Sequence, residues 1–188
     1  MYKDPVDYVN PNIGTIGHLL TATSPTVMLP HGMAQVAPLT TPGIMDRYLA
    51  DKIYGFPVAN VGRTSPAAAA ITATNGATEI EPAKYASTFD HDLEIVSPYH
   101  YSVLLEDYDI IADCTVTAHA IYYRFTYPGN AQSHIVLNMK DSSELEILDA
   151  TSLTGYLESS GVRHYIYIEF SKPFQSCRTW HGSTIIML

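Results

Sequence analysis

The most constraining feature of this chain is a run of alternating apolar side chains between residues 97 and 128, "SPYHYSVLLEDYDIIADCTVTAHAIYYRFTYP". Apolar or aromatic residues occupy every second position in three successive blocks, which begin at Tyr99, Ala112 and Ile121. Successive side chains of a strand point to opposite faces of a sheet, so each block places its apolar set on one face. Turn-forming residues separate the blocks at 106–109 and follow the last block at 128–130. The pattern predicts an antiparallel meander.

Strand-like segments also lie on both sides of this meander. Short apolar pieces occur at 26–30 and 33–38, and "ITATNGATEI" (71–80) suggests a hairpin around its Asn-Gly pair. Further β-type segments cover 133–140, 144–149, 151–158 and 162–170, the last two flanking a compact "SSG" loop. Many short strands with turn signals every roughly eight to twelve residues are typical of a sandwich. The sequence therefore predicts an all-β fold, an antiparallel β-sandwich, forming a single domain over residues 1–188.

The chain finishes with an apolar run, "STIIML" (183–188), that has no turn or polar cap after it. An uncovered apolar strand is a site of aggregation, so proteins normally pair or cover it. We therefore expect the partner of this run to lie in sequence beyond it. This predicts that the chain is an N-terminal portion of a larger, two-domain protein.

Composition and charge exclude several classes of function. With 188 residues, 46% of them hydrophobic and 15% charged, the chain can bury a sizeable core. Its formal net charge of −9, without a cluster of Lys or Arg, would repel a phosphate backbone, so no nucleic-acid partner is expected. No segment is long enough to span a bilayer, and no apolar leader opens the chain. Either the protein is cytoplasmic or a leader has been removed.

The sequence offers no motif that would carry catalysis or bind a metal. Cys114 and Cys177 are too few for a disulfide framework and lack zinc-site spacing; whether they pair is left open. Neighbouring side chains of "DHD" (90–92) alternate in direction and cannot share one ion, which favours a solvated loop. Almost all of seven candidate acidic residues, which include the two of this segment, stand in turn-like segments, where solvated charge is the ordinary explanation. They are Glu79, Glu81, Asp90, Asp92, Glu106, Asp107 and Asp109.

Several segments resemble, in order and spacing, the N-terminal domain of family-92 glycoside hydrolases, the calcium-dependent exo-acting α-mannosidases. The segments are "DYVNPNIGTIGH" (7–18), "TVMLPHGMAQVAP" (26–38), the Gly55–Phe56 pair and the meander at 97–128. The resemblance implies a supersandwich-like β-sandwich in front of a helical (α/α)-barrel domain. That second domain, absent from this chain, would hold the calcium and the two carboxylates of an inverting mechanism. No cofactor is expected in this chain, and periplasmic or extracellular localisation in a bacterium is implied.

Three residues are predicted to contact substrate, and none to be catalytic. His18 follows Gly17 in a loop where the family also has histidine, and its imidazole could hydrogen-bond a sugar hydroxyl or only its own backbone. Tyr48 and Asp51 occupy positions where the family has a tyrosine and an aspartate. A carboxylate that accepts from sugar hydroxyls beside an aromatic ring suits a pyranose, although a solvated helical turn is the alternative.

Two functions remain open on the sequence. The first is an N-terminal domain of an exo-α-mannosidase that packs on the catalytic domain and lends loop residues to the sugar site. The second is a stand-alone sandwich that binds carbohydrate or protein without catalysis. One departure from the family bears on both: Pro57, Val58 and Asn60 stand where the family has a histidine-rich segment, which implies an altered sugar pocket. An aromatic platform of Tyr122, Tyr123, Tyr165 and Tyr167 is weighed against ordinary sheet and core packing, which is favoured.

Overall fold

The computed structural model describes residues 3–15, 23–40, 49–59, 69–129, 132–139, 143–159, 161–182 and 184–187. Contacts between Cα atoms group the chain into two compact units, residues 1–137 and 138–188. A single domain over 1–188 therefore stays a prediction.

Eleven described strands begin in the first unit. They are β1 (Val27–Met28), β2 (Gln35–Val36), β3 (Leu39–Thr40), β4 (Lys52–Ala59), β5 (Ala69–Asn75), β6 (Ser87–Thr88), β7 (Ile95–Val96), β8 (Tyr101–Leu105), β9 (Ile110–Val116), β10 (Ile121–Thr126) and β11 (Ser133–Met139). The described residues of this unit also form one short helix, α1 (Pro82–Tyr85), and two 3-10 turns, Pro5–Tyr8 and His91–Leu93. No helix in the described part of the chain is long and apolar enough to cross a membrane.

The predicted meander is confirmed. Strands β7, β8, β9 and β10 form one antiparallel sheet in that sequential order, and Cys114 of β9 lies opposite Tyr101 on one side and Tyr123 on the other. Strand β9 is shorter than its apolar pattern suggests, since it ends at Val116 instead of Ala120. The reason is local: the hydroxyl of Thr117 accepts the amide of Ala120 at 3.0 Å and closes a turn.

A second antiparallel sheet has the order β11, β5, β4, β3, with β6 also paired to β4. Its Phe56, Ile71 and Ala73 are buried in the same apolar cluster as Tyr101 and Val103 of the meander. Two sheets thus share one core, which confirms the predicted antiparallel β-sandwich. Strands β1 and β2 pair with each other, as their apolar pieces suggested, and bury Val27 and Val36 in that cluster.

Gly55 is needed where β4 passes between its neighbours. Its φ of +140° lies in a region that residues with a side chain rarely adopt. A Cβ atom added there would also lie 2.9 Å from the carbonyl oxygen of Ile71. The Gly55–Phe56 pair therefore combines a backbone that admits no side chain with the ring that fills the core beside it.

The hairpin predicted around Asn75 and Gly76 is wrong. Strand β5 ends at Asn75, and the chain then turns into α1 without forming a returning strand. Instead, β5 pairs with β4 and β11, which are distant in sequence, and the amide of Gly76 donates to Gln132. Pairing that buries both faces of β5 outweighs the local turn preference of the Asn-Gly pair.

The second unit contains five described strands: β12 (Ser143–Ile147), β13 (Ser152–Ser159), β14 (Val162–Glu169), β15 (Arg178–His181) and β16 (Thr184–Met187). Strands β12, β13 and β14 form an antiparallel sheet, and β13 and β14 flank residues 160–161 as the hairpin prediction required. Among its described residues, Leu153 and Leu157 are buried apolar side chains.

The expectation that the final apolar run lacks a partner is wrong. Strand β16 pairs antiparallel with β15, with Ile185 opposite Trp180. Gly182, with a φ of +58°, lies in the turn between the two strands. The sequence reading missed this pairing because "CRTWH" has a weak apolar pattern.

Candidate functional site

An open cleft of about 550 Å³ lies in the first unit, where the segment before β4 meets the 3-10 turn His91–Leu93. Both the turn and the entry into β4 are anchored to the sandwich, since β7 follows the turn and β4 crosses the core. The residues that line the cleft are Leu49, Ala50, Asp51, Phe89, Asp90, His91, Asp92 and Glu106.

The local sequence explains the turn. The carboxylate of Asp90 accepts the amide of Asp92 at 2.9 Å, which is the usual way for aspartate to begin a helical turn. The amides of Leu93 and Glu94 then donate to the carbonyls of Asp90 and His91. The "DHD" segment is thus a capped turn, and its three residues all line the cleft.

The acidic residues of the cleft do not fit a calcium ion. Within the described ranges, no three or more His, Cys, Asp or Glu side chains converge as a metal would require. Calcium needs six to eight oxygen ligands at about 2.3–2.6 Å.

A chain of hydrogen bonds runs from the core of the sandwich to this cleft. The hydroxyl of Tyr101 donates to Oε1 of Glu94, and Oε2 of Glu94 lies 2.8 Å from Nδ1 of His91. The other ring nitrogen of His91, Nε2, lies 3.3 Å from the carbonyl oxygen of Ala50. Burial raises the pKa of Tyr101 well above its ordinary value, and the negative charge of Glu94 adds to this. Tyr101 therefore remains a neutral hydrogen-bond donor.

A second cavity of about 220 Å³ also borders this turn. The segments at 7–18 and 26–38, which carry the family resemblance, contribute part of its wall. Its lining residues are Asn12, Thr15, Ser24, Pro25, Pro38, Thr40, Phe89, His91, Asp92 and Glu94. His91 thus borders both cavities.

Of the three predicted substrate-binding residues, the structure describes one. Asp51 is exposed, immediately precedes β4 and lines the larger cleft. His18 and Tyr48 lie outside the described residues, so their role stays a prediction. The sequence reading overlooked His91 and Glu94, because it considered "DHD" only as a metal motif. The sequence signal for these two residues is a histidine and a glutamate three positions apart, shortly after Phe89.

The four tyrosines do not share one platform. Tyr123 packs into the core and its hydroxyl donates to the carbonyl of Pro57 at 2.6 Å, whereas Tyr122 points to the opposite face of β10 and is exposed. Tyr165 and Tyr167 are exposed on β14 of the second unit. Their alternation reflects sheet geometry, as favoured from the sequence.

The residues that replace the family's histidine-rich segment are structural where they are described. Pro57 is buried in β4, and Val58 packs against the core. Asn60 lies outside the described residues. The substitution therefore puts apolar side chains inside the sandwich at two of these positions.

The described lining of the larger cleft is acidic. Its carboxylates are strong hydrogen-bond acceptors, and the amide and carbonyl groups of the turn lie beside them. No Lys or Arg side chain is among the described residues that line it, so an anionic ligand would be repelled. The described lining is therefore rich in hydrogen-bond acceptors and carries no described cationic side chain.

Solved structures of mannosidases are similar to this chain. A family GH92 inverting mannosidase from Bacteroides thetaiotaomicron VPI-5482 aligns with a TM-score of 0.82 and 23% identity, covering 99% of this chain and 28% of that one. A family GH92 α-mannosidase from Bacteroides thetaiotaomicron, in complex with mannoimidazole, aligns with a TM-score of 0.76 and 28% identity over 92% of this chain and 26% of that one. The chain thus spans little more than a quarter of either structure.

A comparison with family models gives the same relationship. No curated protein sequence matches the chain. The model of the glycosyl hydrolase family 92 N-terminal domain matches residues 8–186, nearly the whole chain. The order of the matching segments and the antiparallel sandwich agree with that match. The chain therefore belongs to glycosyl hydrolase family 92, and it corresponds to the N-terminal domain of that family.

Proposed function

We propose that this chain is the non-catalytic N-terminal domain of a calcium-dependent exo-α-mannosidase. It packs on a helical catalytic domain, which holds the calcium and the catalytic carboxylates, and it lends loop residues to the sugar site. The observation that carries the proposal is the family match over residues 8–186, together with solved mannosidases of which this fold forms about a quarter. By the same resemblance, the protein acts in the periplasm or outside a bacterial cell.

The geometry of the larger cleft supports a contact between Asp51 and the sugar. Its carboxylate is exposed at the cleft, while the preceding Ala50 is almost fully buried and fixes the backbone. Carboxylate oxygens accept hydrogen bonds from two adjacent hydroxyls, an arrangement that suits a pyranose. His18 and Tyr48 are proposed to complete this contact on the strength of the family resemblance.

The test compares the full-length gene product with the 188-residue chain in hydrolysis of 4-nitrophenyl α-D-mannopyranoside. We expect turnover only from the full-length protein, and we expect EDTA to abolish it and added calcium to restore it. Calcium-dependent turnover by the 188-residue chain would place catalysis within this domain and refute the proposal. A gene that encodes no further domain after Leu188 would favour a stand-alone binding sandwich instead.

Asp51→Asn in the full-length protein tests the sugar contact. Loss of a charged hydrogen-bond acceptor should raise KM about tenfold to a hundredfold. Asp109→Asn is the matched control, since Asp109 is exposed in a turn with a φ of +52°, which asparagine also tolerates. Equal KM values for the two variants would refute the contact between Asp51 and the sugar.

A further inference from the structure

The buried carboxylate of Glu94 is held from both sides. Its side chain is only 4% exposed, a position in which an unpaired charge would be strongly unfavourable. Oε1 accepts the hydroxyl of Tyr101, a residue with no exposed surface in the core, and Oε2 faces Nδ1 of His91. Glu94 therefore links the buried core of the sandwich to the imidazole at the cleft.

The imidazole of His91 is fixed in turn. Phe89 meets it edge to face, with ring centroids 4.7 Å apart and an interplanar angle of 70°. With Nδ1 on the Glu94 carboxylate, Nε2 is directed at the carbonyl oxygen of Ala50. Both partners are acceptors, so His91 donates to both only as the imidazolium, in which each ring nitrogen carries a proton. Ala50 belongs to a different segment of the chain, so this contact ties the entry of β4 to the 3-10 turn.

We propose that His91 is a positioning residue for sugar recognition. The hydrogen bond from His91 to Ala50 holds the backbone from which the side chain of Asp51 extends into the cleft. Tyr101 and Glu94 orient His91, so the position of the acceptor depends on a network that begins in the core. This inference rests on the proposed function, because it takes Asp51 to contact the sugar.

Two variants of His91 separate its two hydrogen bonds. The amide nitrogen of glutamine can occupy the place of Nε2, so His91→Gln retains a donor for Ala50. The amide nitrogen of asparagine can occupy the place of Nδ1, so His91→Asn retains the contact with Glu94 and loses the one with Ala50. A role through Ala50 therefore predicts that His91→Gln behaves more like the wild type than His91→Asn does.

The structural step is measured by NMR on the 188-residue chain. We expect His91→Asn to shift the Ala50 carbonyl and Asp51 amide resonances and to accelerate amide exchange at Asp51, and His91→Gln to have a smaller effect. Glu94→Gln should shift the same signals, because it weakens the orientation of His91. The inference is overturned if the resonances of Ala50 and Asp51 are unchanged in His91→Asn, or respond equally to both His91 variants.

The functional step is measured by kinetics of the full-length protein on the aryl mannoside. His91→Asn should raise KM about fivefold to tenfold, the effect of one ordinary hydrogen bond, with a smaller change in kcat. His91→Gln should recover part of this loss, and His119→Asn, at an exposed turn, is the control expected to match the wild type. A fall in kcat without a change in KM would overturn positioning of the sugar contact.

The two proposals fail in distinguishable ways. If Asp51→Asn leaves KM unchanged while the NMR shifts in His91→Asn persist, then the proposed sugar contact of Asp51 is refuted and the network is only a structural link. If Asp51→Asn raises KM but neither His91 variant does, the sugar contact stands and the positioning role is refuted. Thermal unfolding of each variant confirms that it is folded before either comparison is made.

Discussion

Replacement of Phe56 by alanine tests whether the core lies between the two sheets of the first unit. Phe56 is 1% exposed, and its ring centroid lies 6.2 Å from Tyr101, 5.9 Å from Tyr123 and 6.4 Å from Phe125. Full burial of a phenylalanine contributes about 1.5–3 kcal/mol, and the cavity and lost ring contacts add to the cost of its removal. We therefore expect Phe56→Ala to reduce the free energy of unfolding by about 3–5 kcal/mol.

The measurement is urea unfolding of the 188-residue chain, followed by far-UV circular dichroism. With an m-value of about 2 kcal/mol per M, the midpoint should fall by about 2 M. Tyr122→Ala is the matched control, because Tyr122 is 59% exposed on β10 and its removal should change stability by less than about 0.5 kcal/mol. A loss below about 1 kcal/mol for Phe56→Ala, or equal effects of both variants, would refute the shared core.

Three further predictions concern single side chains. Thr74 is buried and its hydroxyl has no hydrogen-bond partner among the described residues, so Thr74→Val should raise the free energy of unfolding by about 1 kcal/mol; a lower melting temperature would contradict this. Burial alone would raise the pKa of Asp113, but hydrogen bonds from three neighbouring side chains lower it below its ordinary value of 3.8. The stabilisation by the charged Asp113 is therefore present above pH 3.8 and is lost as the pH falls through the lower pKa of the folded state. The difference in free energy of unfolding between the wild type and Asp113→Asn should shrink on acidification, and a difference that stays constant would contradict this. Cys114 and Cys177 are both free thiols in the structure, and burial raises the pKa of Cys114 to about 12. A thiol reagent at pH 8 should therefore label Cys177 first and Cys114 only on unfolding.

The neighbours of Asp113 illustrate why that carboxylate stays charged. Nε2 of His100 lies 3.0 Å from Oδ1, and the guanidinium of Arg124 lies 3.3 Å from Oδ2. Ser102 supplies a further hydrogen bond. All four residues are close together because β8, β9 and β10 are adjacent in the sheet, which the alternating sequence pattern alone predicted.

The sequence determined the local character of most strands. The alternation of apolar residues predicts which side chains of a strand face the same way, as at 101–105 and 110–116. The compact loop predicts where the chain reverses, at 159–161. Both features depend on residues that are neighbours in sequence. The order of matching segments also determined the family. The sequence-based prediction of a hairpin at Asn75 failed because pairing with distant strands outweighed the local turn preference. The prediction for the final apolar run failed because its partner strand has a weak apolar pattern.

The tertiary structure alone decided how the candidate site is built. Asp51 could be chosen from the sequence, because the family has an aspartate there. The link from Tyr101 through Glu94 and His91 to Ala50 could not be predicted from the sequence. It joins segments up to 51 residues apart, and it depends on which groups the folded sheets bring within 3.3 Å of each other. A periodic pattern records which face of a strand is buried, whereas a hydrogen bond between distant segments depends on the packing of all the residues between them.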